Sequence, residues 1–428
     1  MKYKIQRRLF NFEVLLCLIC YLLYDIAPSS IRAYIRNRKL RKLVRKAYTI
    51  PFYKARFDQA GVRPCDIKTP DDLTKLPVLT KEEYRTWVNQ EIEKKENKEC
   101  MIMYTSGSSG KPLKVINTPF EYARDVANLL RMWIYSGANP VFMKTLTERD
   151  DSSETVGYKT LIQRMGIMRR EIIDEDDEEE TIISFINRYK PDILRFYKSE
   201  LVRIGLFSKR NGIPLYKPKY YIVLGENVDL LSERTLRECY GDGLINLYGC
   251  VEAGGIAVKK PHETNYEVFE DAVIINIYGN DSSLSTKGRV IMTTLYKDTF
   301  PLINYDLKDI AEVEKTKRGV VIKEILGRTD DDLMYEDGSS TGWIRIWHIA
   351  CEQQDLLQIH IIQESYKNLI VQCVKNPDSK ISESVIEEGL RKGLEKEILG
   401  RMTIEFEWLD DIPLDSNGKL KLIEKRFL

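Results

Sequence analysis

The stretch Tyr104-Thr105-Ser106-Gly107-Ser108-Ser109-Gly110-Lys111-Pro112 sets four aliphatic hydroxyls, two glycines and one lysine between a tyrosine and a proline. Gly107 and Gly110 free the backbone to bend so that several N–H groups converge, while Thr105, Ser106, Ser108 and Ser109 add donors and Lys111 adds a point charge. That combination suits a polyphosphate. Such a loop is also often a plain flexible turn, so the stretch needs support from elsewhere in the chain. The G-x-x-x-x-G-K-[ST] pattern of nucleoside triphosphatases is excluded, because Pro112 stands where a hydroxyl residue is required.

Working outward, residues 32–96 are basic and punctuated by Pro51, Pro64, Pro70 and Pro77, which predicts short helical pieces in a wrapping segment rather than a core. Downstream, Ala127, Leu130, Trp133 and Ile134 recur at helical steps and predict a helix over 118–135. Helices over 179–189 and 200–209 lead to a strand at 220–224. The acidic run 174–180 reads as a solvated turn rather than a metal site. Strands at 244–247, 272–278 and 288–295 follow, the later ones suggesting an antiparallel piece. Beyond Gly327 come a helix over 342–353, strands at 358–362 and 369–374, a helix over 382–399 and a strand at 403–408. In that long helix Ile386, Leu390, Leu394 and Ile398 share one face. The expected fold class is α/β. A large N-terminal domain, residues 1–328, would combine mixed sheets, packed helices and a small β-rich part, with residues 1–100 as its wrapping segment. Residues 329–428 would form a small α+β C-terminal lid.

Composition narrows the function classes. With 428 residues, 43% hydrophobic and 31% charged, the chain is too long for one small binding module and too apolar to be disordered. A formal net charge of +1 supplies no global field for nucleic acid. The eight cysteines are scattered as free thiols of a reducing cytoplasm would be, and none of His262, His348 and His360 stands at zinc-ligand spacing from a cysteine pair. Lys2, Lys4, Arg7 and Arg8 precede an apolar run over 14–24 that is shorter than the roughly 20 residues a membrane span takes. A buried helix is the first reading of this run. Peripheral contact with the inner face of the membrane through residues 10–27 and an export signal stay open, although no small-residue cleavage site follows.

Further segments follow the hydroxyl-rich loop in a fixed order: Tyr248-Gly249-Cys250-Val251-Glu252, then Pro301-Leu302-Ile303-Asn304-Tyr305-Asp306-Leu307-Lys308-Asp309. Gly327-Arg328-Thr329-Asp330-Asp331 and Pro413-Leu414-Asp415-Ser416-Asn417-Gly418-Lys419 complete the set. Together they resemble the motifs of the adenylate-forming superfamily of acyl-CoA synthetases, luciferases and peptide-synthetase adenylation domains. Ile50-Pro51-Phe52-Tyr53, Leu76-Pro77-Val78-Leu79-Thr80-Lys81 and the early phosphate loop resemble its phenylacetate-CoA ligase and CapK-like branch, often associated with surface polysaccharide synthesis.

The resemblance implies ATP-dependent, AMP-forming activation of a carboxylate, with transfer to CoA or another thiol or amine, such as a carrier protein or a glycan amine. It implies that Thr105, Ser106, Gly107, Ser108, Ser109, Gly110 and Lys111 hold phosphate, that Tyr248 and Gly249 lie against adenine, and that Glu252 holds Mg²⁺. Asp309 would grip the ribose, Arg328 the nucleotide, and Gly225 and Glu226 would form the turn beside adenine. Asp330 would be the hinge and Lys419 the cation that reaches the reacting carboxylate and phosphate. The chemistry is consistent with this set, because two anions must be neutralised before they react, which calls for cations and donors rather than a catalytic histidine. Residues 142–164, polar and charged where an aromatic acid would want an apolar slot, argue against phenylacetate itself and for a more polar carboxylate. A non-catalytic nucleotide-binding or interaction protein of a polysaccharide assembly complex is the alternative, against which the intact set Lys111, Glu252, Asp309, Arg328 and Lys419 speaks.

Overall fold

A computed structural model describes residues 7–94, 100–105, 113–148, 165–166, 168–174, 177–223, 225–226, 228–279, 281, 283–328, 332–353, 355–413 and 423–427. The chain begins with α1 (Arg7–Asp25), α2 (Ser29–Ala47), α3 (Pro51–Gln59) and α4 (Lys81–Lys94), then the strands β1 (Met101–Tyr104) and β2 (Lys114–Asn117) and helix α5 (Pro119–Tyr135). Next come β3 (Thr145–Glu148), β4 (Arg170–Ile173), α6 (Glu179–Tyr189), β5 (Ile193–Phe196), α7 (Lys198–Arg210), β6 (Tyr220–Val223), α8 (Leu230–Tyr240) and β7 (Leu244–Cys250). The strands β8 (Gly254–Lys259), β9 (Tyr266–Val268), β10 (Val273–Tyr278), β11 (Lys287–Thr294), β12 (Tyr305–Thr316) and β13 (Gly319–Arg328) follow. The chain ends with β14 (Leu333–Met334), β15 (Ser340–Thr341), α9 (Trp343–Glu352), β16 (Leu356–Gln363), β17 (Asn368–Lys375), α10 (Glu383–Ile398), β18 (Thr403–Trp408) and β19 (Ile423–Lys425). No helix among the described residues is long and apolar enough to cross a membrane.

One compact unit takes Met1–Asn139 and Leu247–Ile325. Its strands run in the order β10-β11-β12-β13-β9-β8, antiparallel at β10/β11, β11/β12, β13/β9 and β9/β8. The expectation that the N-terminal stretch wraps rather than builds the core is corrected here. It is largely helical, and Leu40, Leu43, Val44, Tyr53, Phe57, Leu79, Tyr84 and Val88 share one core with Val273, Val290, Met292 and Ile322. The apolar residues of α2 sit at helical steps among eight lysines and arginines, so composition hid a buried stripe that spacing reveals. Helix α5 starts at a capping box in which Thr118 and Glu121 satisfy each other's backbone N–H groups. Its outer face receives α1 through Val14, Cys17 and Tyr21 against Ala123 and Ala127.

The other unit takes Pro140–Asn246 and Leu326–Leu428. Its first part is a parallel sheet, β4-β3-β5-β6-β7, with α6, α7 and α8 as crossovers. Of these strands β6 reads as a continuous apolar run, whereas β3, β4 and β5 carry polar or charged residues. The C-terminal part is a four-stranded sheet, β18-β17-β16-β19, packed on α10 through Ile386, Leu390, Leu394 and Ile398. The two parts share side chains: Leu357, Val374 and Ile412 enter the core of the parallel sheet, and Leu231 of α8 enters that of the C-terminal sheet. Arg234 of α8 donates to the Leu356 carbonyl at 2.8 Å.

Candidate active site

The hydroxyl-rich stretch is flanked by two paired strands. Strands β1 and β2 pair antiparallel with Tyr104 opposite Lys114, so the chain reverses between them. Thr105 closes the loop's base: its N–H donates to the Leu113 carbonyl at 3.0 Å, and its Oγ1 accepts from the Leu113 N–H at 3.0 Å. Buried Thr105 is therefore a fastener for the loop ends. The other expected phosphate ligands, Ser106, Gly107, Ser108, Ser109, Gly110 and Lys111, lie outside the described residues.

Tyr248 and Asp309 come together. Three strands separate β12 from β7 in the sheet order, yet the Tyr248 hydroxyl donates to Asp309 Oδ2 at 2.7 Å. A bulge makes this meeting possible. Opposite Val290, the register jumps from Ile310 to Asp306, with Lys308 at φ +63° and its N–H on Asp306 Oδ1. Bulges of this kind re-aim side chains at the margins of functional sites. At Gly249 an added Cβ would lie 2.3 Å from the Gly254 carbonyl, so only glycine lets β7 approach the start of β8 this closely.

Glu252, in the turn between those strands, is buried at 5% exposure. Its Oε1 accepts from the Tyr305 hydroxyl at 3.3 Å and pairs with Lys81 Nζ at 3.4 Å. Among the described residues no hydrogen bond or ion pair reaches its Oε2. Burial and the Glu252 charge hold the Tyr305 hydroxyl far above the usual phenol range, so it remains a donor. Burial, followed by Glu252, also pushes the Cys250 thiol well up, which keeps it neutral and unreactive as a nucleophile.

Lys81 reaches Glu252 because its segment is tied to β12. The Leu79 N–H donates to the Asn304 carbonyl at 2.8 Å and the Asp306 N–H to the Leu79 carbonyl at 3.0 Å, a parallel bridge beside Tyr305. Thr80 and Glu83 then cap α4, at whose first residue Lys81 stands. Sequence reasoning singled out the 76–81 phrase only as a branch signature, and its charge at Glu252 was the signal it overlooked.

Behind the turn, the Tyr296 hydroxyl bonds to the Ala253 carbonyl at 2.6 Å and to Asp125, whose Oδ2 lies 3.6 Å from Lys297 Nζ. Burial raises the Asp125 pKa, with Lys297 opposing. A Cβ at Gly254, which has φ +63°, would lie 2.8 Å from Asp125 Oδ1, so this buried network sets the course of the turn.

In the other unit, the C-terminal ends of the parallel strands gather polar groups, the end at which open α/β sheets place ligands. Gly225, at φ +77°, turns the chain after β6. Glu226 serves through its side chain: Oε2 accepts from the Ser199 N–H at 2.8 Å and from its hydroxyl at 3.1 Å, capping α7. Its Oε1 is buried with no hydrogen-bond partner among the described residues. Glu148 accepts the Tyr197 N–H at 2.8 Å, and Lys198 meets Asp229 at 3.2 Å. Burial works against the Lys198 charge, but Asp229 and Glu226 outweigh it and hold the ammonium above the usual lysine range. Arg328 is the last residue of β13. The hinge residue Asp330 and Lys419 lie outside the described residues.

Of the polar segment expected to shape the acyl pocket, 149–164 lies outside the described residues and 145–148 is the fully buried strand β3. Lys144 is spent on structure, its Nζ donating to the Tyr189 carbonyl at 2.8 Å.

Mg²⁺ fits what is present. The ion keeps most of its ligands as water and phosphate and needs only one or two carboxylates, and the open Oε2 of Glu252 is one such oxygen. No cluster of three or more acidic, histidine or cysteine ligands exists among the described residues.

Comparison with known proteins gives concordant results. Residues 333–426 match the family model of the CapK C-terminal domain. The chain is 24% identical to protein CapK of Staphylococcus aureus over 373 residues, covering 82% of this chain and 80% of that protein. It is 24% identical to phenylacetate-coenzyme A ligase of Aromatoleum evansii over 405 residues, covering 87% and 88%. Among solved structures, a 2-hydroxyisobutyryl-CoA ligase in the postadenylation state, in complex with R3-HIB-AMP, superposes with a TM-score of 0.76 at 14% identity, covering 94% of this chain and 91% of that one.

Proposed function

From the premise that this chain is a relative of CapK and the phenylacetate-CoA ligases, with the fold of the adenylate-forming CoA ligases, we propose that it is an AMP-forming adenylating enzyme. It condenses a carboxylate with ATP to an acyl-adenylate and passes the acyl group to an acceptor, of which CoA is the first to test. The observation that carries this reading is the 2.7 Å bond between Tyr248 and Asp309, an aromatic ring and a carboxylate brought together by a bulge.

In this reading the Tyr248 ring lies against adenine and Asp309 accepts from the ribose hydroxyls. The stretch from Thr105 to Lys111 surrounds the β- and γ-phosphates with N–H groups, hydroxyls and the Lys111 charge. Gly225 and Glu226 border the adenine, and Arg328 contacts the nucleotide. Mg²⁺, held through Glu252, neutralises phosphate charge when bound. Lys419 supplies the ammonium that lets carboxylate and α-phosphate approach, and a turn about Asp330 then admits the acceptor. Residues 1–328 form the adenylation domain in this scheme and 329–428 the mobile one.

Carboxylate-dependent ATP–pyrophosphate exchange by the purified chain, run over a broad panel of acids, tests the activity. The polar sequence of residues 149–154 favours a polar carboxylate over phenylacetate, and selective use of phenylacetate would defeat that preference. Thioester formation with CoA, set against amide formation with sugar amines, identifies the acceptor. The likeness to CapK supports a setting in surface polysaccharide synthesis. Lys419→Ala is expected to abolish exchange while sparing acyl transfer from a supplied acyl-adenylate. Absence of exchange with every acid would leave the non-catalytic nucleotide-binding reading in its place.

A further inference from the structure

Helix α1 is apolar on two faces, and among the described residues only one of them is packed. Val14, Cys17, Tyr21 and Tyr24 are buried, the first three in a cluster with α5. Asp25, at the end of the helix, is held by the wholly buried Arg131, with Nε 2.8 Å from Oδ2. The opposite face carries Phe12, Leu15, Leu16, Ile19 and Leu23, between 47% and 62% exposed, with exposed Cys20 among them and Ile26 at 81% in the elbow that follows. These positions follow helical steps, and Glu13 is the single charged residue between Phe12 and Tyr24. A contiguous apolar stripe anchored from behind and open to solvent marks a contact surface.

The charge beside it identifies the partner. Residues 1–47 hold 12 lysines and arginines against two acidic residues, a balance of +10 in a chain whose total is +1, so the remainder carries −9. On α2 the exposed side chains continue from Ile31 and Tyr34 to Arg38, Lys42 and Arg45, again at helical steps. Arg36 and Lys39 are taken by Glu270 and Asp271, and Lys46 by Asp298, whereas Arg38, Arg41, Lys42 and Arg45 have no acidic partner among the described residues. An apolar helix face continued by an aromatic residue and unpaired cations is the pattern of a segment lying in a bilayer interface. Anionic headgroups attract the +10 segment and repel the −9 remainder, which turns this face toward lipid. A second copy is a poor occupant, because joining like faces would bring two +10 segments together.

We propose that α1 and the exposed stripe of α2 dock the chain on an anionic phospholipid surface, with Phe12, Leu16, Ile19 and Leu23 entering the headgroup boundary and Arg38, Lys42 and Arg45 meeting phosphate. The helix lies on the membrane and does not cross it.

Flotation of the full-length chain with vesicles of phosphatidylcholine alone, and of phosphatidylcholine mixed with phosphatidylglycerol, tests this without reference to catalysis. Binding is expected only to the anionic vesicles and falls as salt is raised. L16E/I19E and R38E/K42E are each expected to lower it by about tenfold or more, with circular-dichroism melts that match the unaltered chain. Labelling of Cys20 by a water-soluble maleimide should slow when anionic vesicles are added and not when neutral ones are. Equal binding to both vesicle types, or none to either, overturns the proposal. A dimer in analytical ultracentrifugation with Cys20 protected in the absence of lipid, released by L16E/I19E, assigns the face to a second copy and overturns it as well.

Discussion

Lys81 is the residue whose role came from tertiary structure alone. Its ammonium, 3.4 Å from Glu252 Oε1, holds in place the carboxylate assigned to Mg²⁺. Lys81→Met is expected to lower the pyrophosphate exchange rate by about ten- to hundredfold, the cost usual for losing an outer partner of a metal-binding carboxylate, with the thermal midpoint little changed. Tyr248→Phe keeps the ring and deletes the bond to Asp309. It should raise the KM for ATP by about fivefold, in line with a net hydrogen bond of about 1 kcal/mol, and leave the acid specificity as it was. The cysteines provide a check that needs no substrate. Burial raises Cys239 to about 11 and Cys373 to about 12, whereas Cys20 and Cys65 are exposed. Brief iodoacetamide treatment of the native chain near neutral pH, followed by peptide mass spectrometry, should modify Cys20 and Cys65 and spare Cys239 and Cys373.

At the scale of elements, ends and turns carry most of the specification. Glu121 does two jobs on α5: Oε2 caps the helix by accepting the Thr118 N–H, and Oε1 accepts the N–H groups of Asp298 and Thr299 at 2.7 and 2.9 Å. Thr118→Ala should therefore cost about 1 kcal/mol and Glu121→Ala about 2–4 kcal/mol, because the second strands backbone donors in the interior. Urea unfolding of the two variants measures the difference. In the C-terminal part, the Ser339 hydroxyl and N–H, with Arg401, hold the Asp337 carboxyl down to about 2. Since the folded value lies below the ordinary one, the stabilisation is complete above about pH 4 and is lost as pH falls through about 2. Urea midpoints of Arg401→Ala and of the unaltered chain should accordingly differ at about pH 5 and converge near pH 2.

On the scale of the molecule, the C-terminal piece shares its core with residues 140–246. Leu357, Val374 and Ile412 are buried there, each contributing about 1.5–3 kcal/mol, and Leu231 returns the contact from α8. A rearrangement of this piece relative to residues 140–246 would expose those side chains, so any second arrangement must offer comparable apolar cover. Residues 332–428 expressed alone are expected to unfold at a lower urea concentration than the same residues within the whole chain. A mutation such as Leu357→Ala should narrow that gap.

Much of this protein was legible in its residues. The helices at 119–135 and 179–189, the strand at 403–408 and the apolar face of α10 follow from spacing, because side-chain period is a property of the local backbone. The motif residues Tyr248, Glu252 and Asp309 could be singled out because their segments resemble, in the same order, those of the adenylate-forming superfamily. What spacing could not supply was which distant groups meet. Lys81 reaches Glu252 through a strand bridge spanning more than two hundred residues of sequence, and Tyr248 finds Asp309 only because a bulge turns β12. The N-terminal helices looked peripheral because charge dominates their composition. Their few apolar positions become core only when folding brings the strands 273–322 against them. Local periodicity is written residue by residue, whereas burial and pairing depend on long-range closure, and that is settled by packing in three dimensions.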